Sequence, residues 1–328
     1  MTSFFINREN SGQTVIKYLN RLMPNAPSGL LYKQMRNKNI VLNGKKISGN
    51  EKLKENDRLD VFMSDETILK FKEHGETDLS EYKRAFDKFK EPDIVYEDDH
   101  IILLNKPVGI LSQKAKQDDL SANEWLIGYL INKGAADEET LSSFKPSVCN
   151  RLDRNTGGIL VFGKSLFGTQ KMSALIKDRS IEKYYKTIVK GKIIGEAYLE
   201  GYVKKDEKTN KVSFSKTEKP GYSQIKTFIS PIRYSASLDL TELEVLLITG
   251  KSHQIRVHLS SIGHPIIGDE KYGDRALNQM LLNEFGLKNQ FLFAYKLSFP
   301  EMADYKEISG KNFEINLNRE IERYFEEK

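Results

Sequence analysis

The chain has 328 residues, a formal net charge of +5 and a hydrophobic fraction of 39%. This length predicts two domains, or one large domain with an appendage, and the hydrophobic fraction is enough for a sizeable core. The sequence has no apolar run long enough to span a membrane and no signal-peptide pattern. Its single cysteine, Cys149, excludes an intrachain disulfide and a cysteine-based zinc site. We therefore expect a cytoplasmic protein, and its mild positive charge permits a nucleic-acid partner without requiring one.

Residues 1–64 are predicted to form a small α+β unit. Apolar side chains recur at helical spacing over 15–22, and Pro24 ends that helix. The dipeptide Asn43-Gly44 separates two short strand-like runs, which predicts a hairpin with a two-residue turn. Five cations fall on the second predicted helix, the loop after it and the hairpin: Lys33, Arg36, Lys38, Lys45 and Lys46.

This amino-terminal unit resembles the alpha-L RNA-binding domain. The similarity lies in the stretch LLYKQMRNKNIVLNGKKI and in the later segment LKENDRLDVF. In that family the second helix and the following loop carry basic residues to RNA phosphates, so the resemblance implies that the five cations bind RNA. The chain departs from the family at Asn56, where glycine is usual before the aspartate. A solvated lysine-rich surface without a partner is the alternative interpretation.

Residues 65–92 are rich in charge and end near Pro92, which is typical of a linker with some helix. Residues 93–328 are predicted to form an α+β domain on a mixed, mostly antiparallel sheet, because strands and helices follow one another without regular βαβ alternation. The strand candidates are 94–96, 101–104, 159–162, 184–189, 222–229 and 240–248, and the helix candidates are 122–132 and 167–177.

The first chemically informative segment, residues 150–158, reads NRLDRNTGG. It places Asp153 between Arg151 and Arg154, and nearby positive charge keeps a carboxylate ionised, as a nucleophile requires. The two glycines allow the backbone to lie close to a substrate. Considered alone, an aspartate flanked by arginines is more typical of a structural ion pair.

The second segment, residues 250–259, reads GKSHQIRVHL and predicts a helix. Ser252 is the expected N-cap, Ile255, Leu259 and Ile262 form the buried stripe, and Arg256 lies off that stripe together with the histidines. His253, His258 and His264 are five and six residues apart, so they do not share one helix face. We therefore expect hydrogen-bonding or RNA-contacting histidines, not a metal site.

The third segment, residues 183–191, reads KYYKTIVKG and predicts a strand. Alternation puts Tyr185, Thr187 and Val189 on one face. Tyr185 is either a core tyrosine or a residue that packs on a substrate, and the strand pattern alone favours the core. Residues 106–109, which read KPVG, are expected to form a structural turn beside the cleft.

In this order the three segments resemble the signatures of the RluA-type RNA pseudouridine synthases, H-R-L-D-x-x-T-S-G, K-x-Y and G-R-T-H-Q-I-R-x-H. The resemblance implies three catalytic residues: Asp153 as nucleophile, Arg256 as its partner and Tyr185 packed on the target uracil. It also implies substrate binding by Arg151, Arg154, Thr156, His253 and Gln254. The chain departs from the signatures at Asn150, Gly157, Lys251 and Ser252.

The implied activity is isomerisation of uridine to pseudouridine in structured RNA by a monomer without metal or cofactor. Family members commonly modify large-subunit ribosomal RNA, and others act on transfer RNA; the linker and the lysine-rich insertion from Lys204 to Lys219 could set the choice. Two other classes stay open. One is a non-catalytic RNA-binding or ribosome-assembly protein. The other is a hydrolase of N-glycosidic bonds, which needs a second carboxylate; Asp269 is the nearby candidate, although its setting predicts a turn.

Overall fold

The amino-terminal part forms a four-stranded sheet in a computed structural model that describes residues 2–6, 10–72, 78–206, 209 and 211–326. The strand order is β1-β4-β2-β3, and every pairing is antiparallel. The elements are β1 (Thr2–Phe5), α1 (Val15–Leu22), α2 (Ser28–Arg36), β2 (Ile40–Leu42), β3 (Lys45–Lys46) and β4 (Arg58–Val61). Leu19 of α1, Leu31 of α2 and Leu59 of β4 are fully buried in one shared core.

Two turns in this part depend on left-handed backbone conformations. Asn43 and Gly44 have φ values of 50° and 72° between β2 and β3, which confirms the predicted hairpin turn. Asn56 has a φ of 67°, where glycine meets no steric penalty and asparagine is tolerated. The departure from the family at Asn56 therefore preserves the backbone conformation of the turn.

The charged segment 65–92 contains two helices, α3 (Asp65–Lys72) and α4 (Ser80–Phe89), and residues 73–77 lie outside the described part. Helix α4 packs on α5 (Ala122–Asn132), where Tyr82 and Ala85 are buried in the same core as Trp125. The Trp125 indole N–H also donates a 2.7 Å hydrogen bond to the Lys90 carbonyl. The second half of the predicted linker is thus packed into the core of the larger sheet.

The larger sheet has eleven strands within the described residues, in the order β11-β10-β12-β13-β9-β14-β8-β6-β5, with β15 added to β14 and β7 to β8. Among the described strands, one pairing is parallel and joins β14 to β8, which confirms the mixed, mostly antiparallel α+β prediction. The remaining elements are β5 (Ile94–Glu97), β6 (Ile101–Lys106), α6 (Glu138–Ser143), β7 (Ser147–Val148), β8 (Gly157–Gly163), α7 (Leu166–Lys177), β9 (Glu182–Lys190), β10 (Ala197–Asp206), β11 (Lys211–Ser215), β12 (Ser223–Ser235), β13 (Leu240–Leu247), α8 (Gln254–Ser261), α9 (Arg275–Phe285), β14 (Leu292–Ser298), β15 (Asn312–Glu314) and α10 (Asn318–Glu322).

Both faces of this sheet are covered. In β6, alternation sends Ile102 and Leu104 into the core that contains α5, and Ile101 and Leu103 into the core that contains α7. Helix α8 lies on the α5 side, where Leu259 joins the same core. The lysine-rich insertion is the β10–β11 hairpin at one edge, with residues 207, 208 and 210 outside the described part. Within the described ranges, every helix is too short or too polar to cross a bilayer.

Candidate active site

The loop between β7 and β8 carries Asp153 and is held by hydrogen bonds on both sides of it. The Leu152 N–H donates to the Ser112 hydroxyl, which in turn donates to the Leu152 carbonyl, both at 2.9 Å. The Asn150 side-chain oxygen accepts a 2.8 Å bond from the Val161 N–H. Asparagine at the position where the family has histidine therefore anchors the loop. The Asp153 side chain remains 31% exposed.

The two glycines after the loop allow another strand, not a substrate, to approach closely. A Cβ on Gly157 would lie 2.7 Å from the Phe293 ring, and one on Gly158 would lie 2.2 Å from the Ala294 carbonyl oxygen. Gly158 also has a φ of 105°. Here β8 and β14 pair in parallel, so a side chain at either position would push the strands apart. The glycines fix where the Asp153 loop leaves the sheet.

Helix α8 differs from its prediction at its start and in its exposure. Its N-cap is His253, in a left-handed conformation with φ of 54°, and not Ser252. Arg256 and His258 are buried, at 6% and 1% exposure, whereas Ile262 is 39% exposed. The prediction that Arg256 and the histidines lie off the buried face is wrong for these two residues. The reason is that β10, β11, β12 and the chain around residue 272 cover the polar side of the helix.

The Arg256 guanidinium bridges two carboxylates. Its Nη1–H donates to Asp153 Oδ2 at 3.0 Å, and its Nε–H and Nη2–H donate to the two Asp269 oxygens at 2.7 and 2.9 Å. Asp269 is fully buried and also accepts bonds from the backbone N–H groups of Lys271 and Tyr272. Such bidentate geometry fixes the guanidinium plane, so Asp269 aims the remaining N–H at Asp153.

These contacts determine the charges at the site. Burial alone would lower the pKa of Arg256, but hydrogen bonds and charge from Asp269, and then from Asp153, raise it above its ordinary value. Burial alone would raise the pKa of Asp269, and the Arg256 guanidinium lowers it overall. Arg256 and Asp269 are therefore both ionised at neutral pH. No described residue hydrogen-bonds Oδ1 of Asp153, so the lone pairs of that oxygen are not engaged by the described part of the protein.

The arginines next to Asp153 in sequence are not its partners in space. Arg151 and Arg154 are exposed, and neither forms an ion pair with Asp153, so the prediction that they flank its carboxylate is wrong. Arg154 instead lines a cavity of about 520 Å³ together with Arg84 and Lys88. The cation that contacts Asp153 comes from α8.

Tyr185 lies on β9 with its ring directed into the core beside the site. Tyr185, Thr187 and Val189 are all buried, as the predicted alternation requires. Burial, and next the negative charge of Asp153, raise the pKa of the Tyr185 phenol. The phenol is therefore protonated at neutral pH and lies close enough to Asp153 to feel its charge.

His253 is linked to Tyr272 on one side and faces Asp153 on the other. The Tyr272 hydroxyl oxygen accepts a 3.0 Å bond from the Val212 N–H, which leaves its own proton to donate to His253 Nδ1 at 2.9 Å. This arrangement favours the tautomer with a proton on Nε2, and Nε2 lies 3.9 Å from Asp153 Oδ2. Burial lowers the pKa of His253, so the ring is neutral at pH 7.

Two further predicted substrate-binding residues form hydrogen bonds within the protein. The Gln254 amide accepts from Thr249 and Lys251 and donates to Lys226 and Thr227, so all its hydrogen-bonding groups are occupied. Gln254 thereby ties the start of α8 to β12. The Thr156 hydroxyl, also buried, accepts a 3.0 Å bond from the Gln290 amide.

His258 and His264 make hydrogen bonds inside the protein. His258 Nδ1 lies 2.8 Å from the Thr227 hydroxyl, and burial lowers its pKa to about 4. His264 Nδ1 lies 2.8 Å from the Lys190 carbonyl oxygen. Within the described ranges, no group of three or more His, Cys, Asp or Glu side chains is arranged to hold a metal ion.

Lys106 belongs to the site although the sequence predicted only a structural turn there. It is fully buried, and its ammonium donates to the carbonyl oxygens of Pro107, Ile110 and Arg154 at 2.9, 2.8 and 3.3 Å. Burial lowers the pKa of Lys106 to about 7, while the charge of Asp153 opposes that shift. Three carbonyl acceptors match the three N–H donors of an ammonium, which favours the protonated form. Lys106 thus ties the end of β6 to the Asp153 loop.

We expect Lys106→Met to lower the free energy of unfolding by about 3 kcal/mol, because it removes a fully buried ammonium that donates hydrogen bonds to three carbonyl oxygens. The fluorescence of Trp125, the single tryptophan, reports this transition in urea because Trp125 lies in the adjoining core. Lys177→Met is the control, since Lys177 is exposed at the end of α7. Equal unfolding midpoints for the two variants would contradict the anchoring role of Lys106.

The five amino-terminal cations are placed where RNA could reach them. Lys33, Arg36, Lys38, Lys45 and Lys46 are all exposed. None of them forms an ion pair with a residue in the described ranges. They lie on α2, on the turn after it and on the β2–β3 hairpin.

The arrangement of carboxylates argues against a hydrolase. Inverting and retaining glycosidic hydrolysis both need a second carboxyl group that faces the substrate. Asp269, the candidate from sequence, is fully buried and occupied by Arg256 and two backbone N–H groups. It supports Arg256 and cannot reach across a substrate to act as an acid or base.

Comparisons with known proteins agree with this site. The family model described as RNA pseudouridylate synthase matches residues 100–261. Ribosomal large subunit pseudouridine synthase C of Rickettsia bellii is 30% identical, with 94% of each chain covered. An uncharacterised RNA pseudouridine synthase of Mycoplasma capricolum is 29% identical and covers 92% of this chain and 93% of its own. The solved structure of human RNA pseudouridylate synthase domain containing 4 shares the fold, with a TM-score of 0.56 at 20% identity, covering 74% of this chain and 94% of that one.

The similarity to the Rickettsia protein is the decisive comparison, because it extends over 94% of both chains and is not confined to residues 100–261. The matched family region contains Asp153, Tyr185 and Arg256, the residues that the three sequence signatures identify. The chain therefore belongs to the RluA-type family of RNA pseudouridine synthases, isomerases that act on RNA.

Proposed function

We propose that this protein converts specific uridines of large-subunit ribosomal RNA to pseudouridine, with Asp153 as the nucleophile. The observation that carries the proposal is the geometry of Asp153. One of its oxygens is held by Arg256 at 3.0 Å, while the other accepts no hydrogen bond from a described residue, and the side chain is 31% exposed and near enough to Tyr185 to raise its pKa. The choice of RNA is supported by the names of relatives such as the Rickettsia bellii protein, a ribosomal large subunit pseudouridine synthase.

Pseudouridine formation breaks the bond from ribose to N1 of uracil, turns the base, and joins the ribose to C5. The base loses the proton on C5 and gains a proton on N1, so the product has the same atoms as uridine. Asp153 starts the reaction either by attacking the sugar or by enabling glycal formation. Arg256 orients the carboxylate through its 3.0 Å hydrogen bond. Tyr185 holds the base as a neutral phenol while the base turns.

The substrate must leave its stack to reach Asp153, which costs a few kcal/mol and costs least in RNA loops. Phosphate contacts offset this cost. They come from the exposed Arg151 and Arg154 at the cleft and from the five amino-terminal cations. Residues 1–64 then act as the RNA-binding domain and 93–328 as the catalytic domain of a cytoplasmic monomer. His253 directs its Nε2–H at Asp153, and Thr156 and Gln254 act by holding the loop and α8 in place.

The test is pseudouridine mapping of total RNA from cells with the wild-type gene, with a deletion and with Asp153→Asn. We expect the same pseudouridines in large-subunit ribosomal RNA to disappear from both altered strains. If pseudouridines disappeared from transfer RNA alone, the substrate would be transfer RNA and not ribosomal RNA. Loss in the deletion but not with Asp153→Asn would reject the nucleophile. RNA that is identical in all three strains would favour a non-catalytic RNA-binding protein.

A further inference from the structure

A cavity of about 560 Å³ lies between strand β11 and helix α8. Its walls combine aromatic and aliphatic groups with two cations. The side chains that matter here are Phe214, Lys216 and Lys219 from the β11 side and Val257 and Tyr272 from the α8 side. Neither the chemistry at Asp153 nor the folding of the core requires an open space at this position.

The β11 wall is held in one place. Strands β10 and β11 pair in register from Tyr202↔Ser215 to Asp206↔Lys211. The Phe214 ring lies over Gly201, where a Cβ would come within 2.3 Å of it, so only glycine lets the ring sit there. The ring also meets His258 edge-on at a centroid distance of 5.7 Å. The cavity wall therefore exists before any ligand binds.

The cavity is electropositive. Lys216 and Lys219 are exposed, and neither forms an ion pair with a residue of the described ranges. Among the described residues that line the cavity, none is acidic. Residues 204–219 contain six lysines against three acidic residues in sequence, so the whole hairpin favours an anionic ligand. A lysine cluster alone is typical of a solvated surface. Here aromatic side chains lie beside the lysines, so a ligand with a planar ring could pack against them.

Tyr272 is shared between this cavity and the catalytic centre. Its hydroxyl contacts the Val212 N–H on the hairpin and His253 Nδ1 at the site. Its ring centre lies 5.1 Å from the guanidinium carbon of Arg256. The cavity is thus separated from Asp153 by Tyr272 and His253, and it adjoins the reacting centre without being part of it.

We propose that this cavity binds a nucleotide of the RNA strand that flanks the target uridine. Lys216 and Lys219 contact its phosphate groups, and its base packs against Phe214 and Tyr272. Phosphate contacts from cations combined with base stacking on aromatic rings are how proteins hold single-stranded RNA. The proposal rests on the proposed function and deepens it, since it makes the lysine-rich hairpin the element that reads the RNA around the target.

The first test measures RNA affinity by fluorescence anisotropy with a fluorescein-labelled stem-loop RNA that carries uridines in its loop. We expect Lys216→Gln with Lys219→Gln to weaken binding at least about tenfold, and to reduce the slope of log K against log salt by about 1.4, since each lost phosphate contact on a single strand removes about 0.7. The control is Lys177→Gln with Lys306→Gln, which removes the same charge from two exposed lysines elsewhere in the catalytic part.

Phe214→Leu separates stacking from charge. It keeps an apolar side chain over Gly201 but removes the aromatic ring, so we expect weaker binding with an unchanged salt slope. Equal affinities and slopes for the Lys216 and Lys219 double variant and its control would overturn the proposal.

A second arm follows single-turnover pseudouridine formation in unmodified large-subunit ribosomal RNA transcribed in vitro. We expect the rate at saturating enzyme to be unchanged in the lysine variant, because Asp153, Arg256 and Tyr185 are untouched. A wild-type enzyme that forms no pseudouridine would reject the proposed function, while the anisotropy arm would still decide this inference.

Discussion

Asp153→Asn is expected to reduce the single-turnover rate of pseudouridine formation by at least about 10³-fold, because an amide of nearly the same shape lacks the charge and basicity of a nucleophile. RNA affinity should stay within about twofold, since the phosphate-binding cations are untouched. The side chain keeps an oxygen that can accept from Arg256, so the loop geometry is preserved. Rates are measured on unmodified large-subunit ribosomal RNA with enzyme in excess.

Asp99→Asn is the matched control for this substitution. Asp99 is an exposed aspartate in the β5–β6 turn of the same part of the molecule, so it tests the loss of one negative charge away from the cleft. Its rate should equal that of the wild type. If Asp153→Asn kept more than about a tenth of the wild-type rate, Asp153 could not supply the decisive covalent or electrostatic step.

The second large effect is expected for Asp269→Asn, which should lower the free energy of unfolding by roughly 3 kcal/mol because it leaves Arg256 buried without its bidentate partner. The rate of pseudouridine formation should fall as well, by about 10²-fold, since the guanidinium is no longer aimed at Asp153. Urea unfolding followed by Trp125 fluorescence gives the first quantity, and single-turnover kinetics gives the second.

This ion pair also predicts a pH dependence. The folded-state pKa of Asp269 is lowered, so its contribution to stability is present above the unfolded-state value of about 3.9 and is lost as the pH falls through the lowered pKa. The wild type should therefore lose stability faster than Asp269→Asn below about pH 4. A constant difference between the two proteins across that range would show that folding does not lower the pKa of Asp269.

An exposed ion pair supplies the control for Asp269. Asp304 contacts Lys171 at 2.7 and 2.9 Å, but its side chain is 61% exposed. Asp304→Asn should cost less than about 1 kcal/mol, because solvent screens an exposed pair. If both substitutions had the same small effect, burial of the Arg256–Asp269 pair would contribute nothing to stability.

Local sequence determined the features that depend on neighbouring residues. Asn43-Gly44 specified a turn because few other dipeptides adopt two positive φ angles, and the structure has them. Alternation along β9 placed Tyr185 on the buried face, because successive side chains of a strand point to opposite sides. The three signatures, in order, were enough to identify the family and to select Asp153, Arg256 and Tyr185.

Only the tertiary structure decided which groups meet. Local sequence favoured Arg151 and Arg154 beside the Asp153 carboxylate, whereas the family signatures implied Arg256. An ion pair forms between groups that are close in space, and α8 brings Arg256 there. The spacing of apolar residues likewise predicted that Arg256 lies on an open face of its helix. Such spacing identifies the apolar face of a helix, but it does not show whether other chain segments cover the polar face. The sequence did not predict that Asp269 pairs with Arg256, because bidentate pairing depends on how the two side chains are oriented in the folded protein.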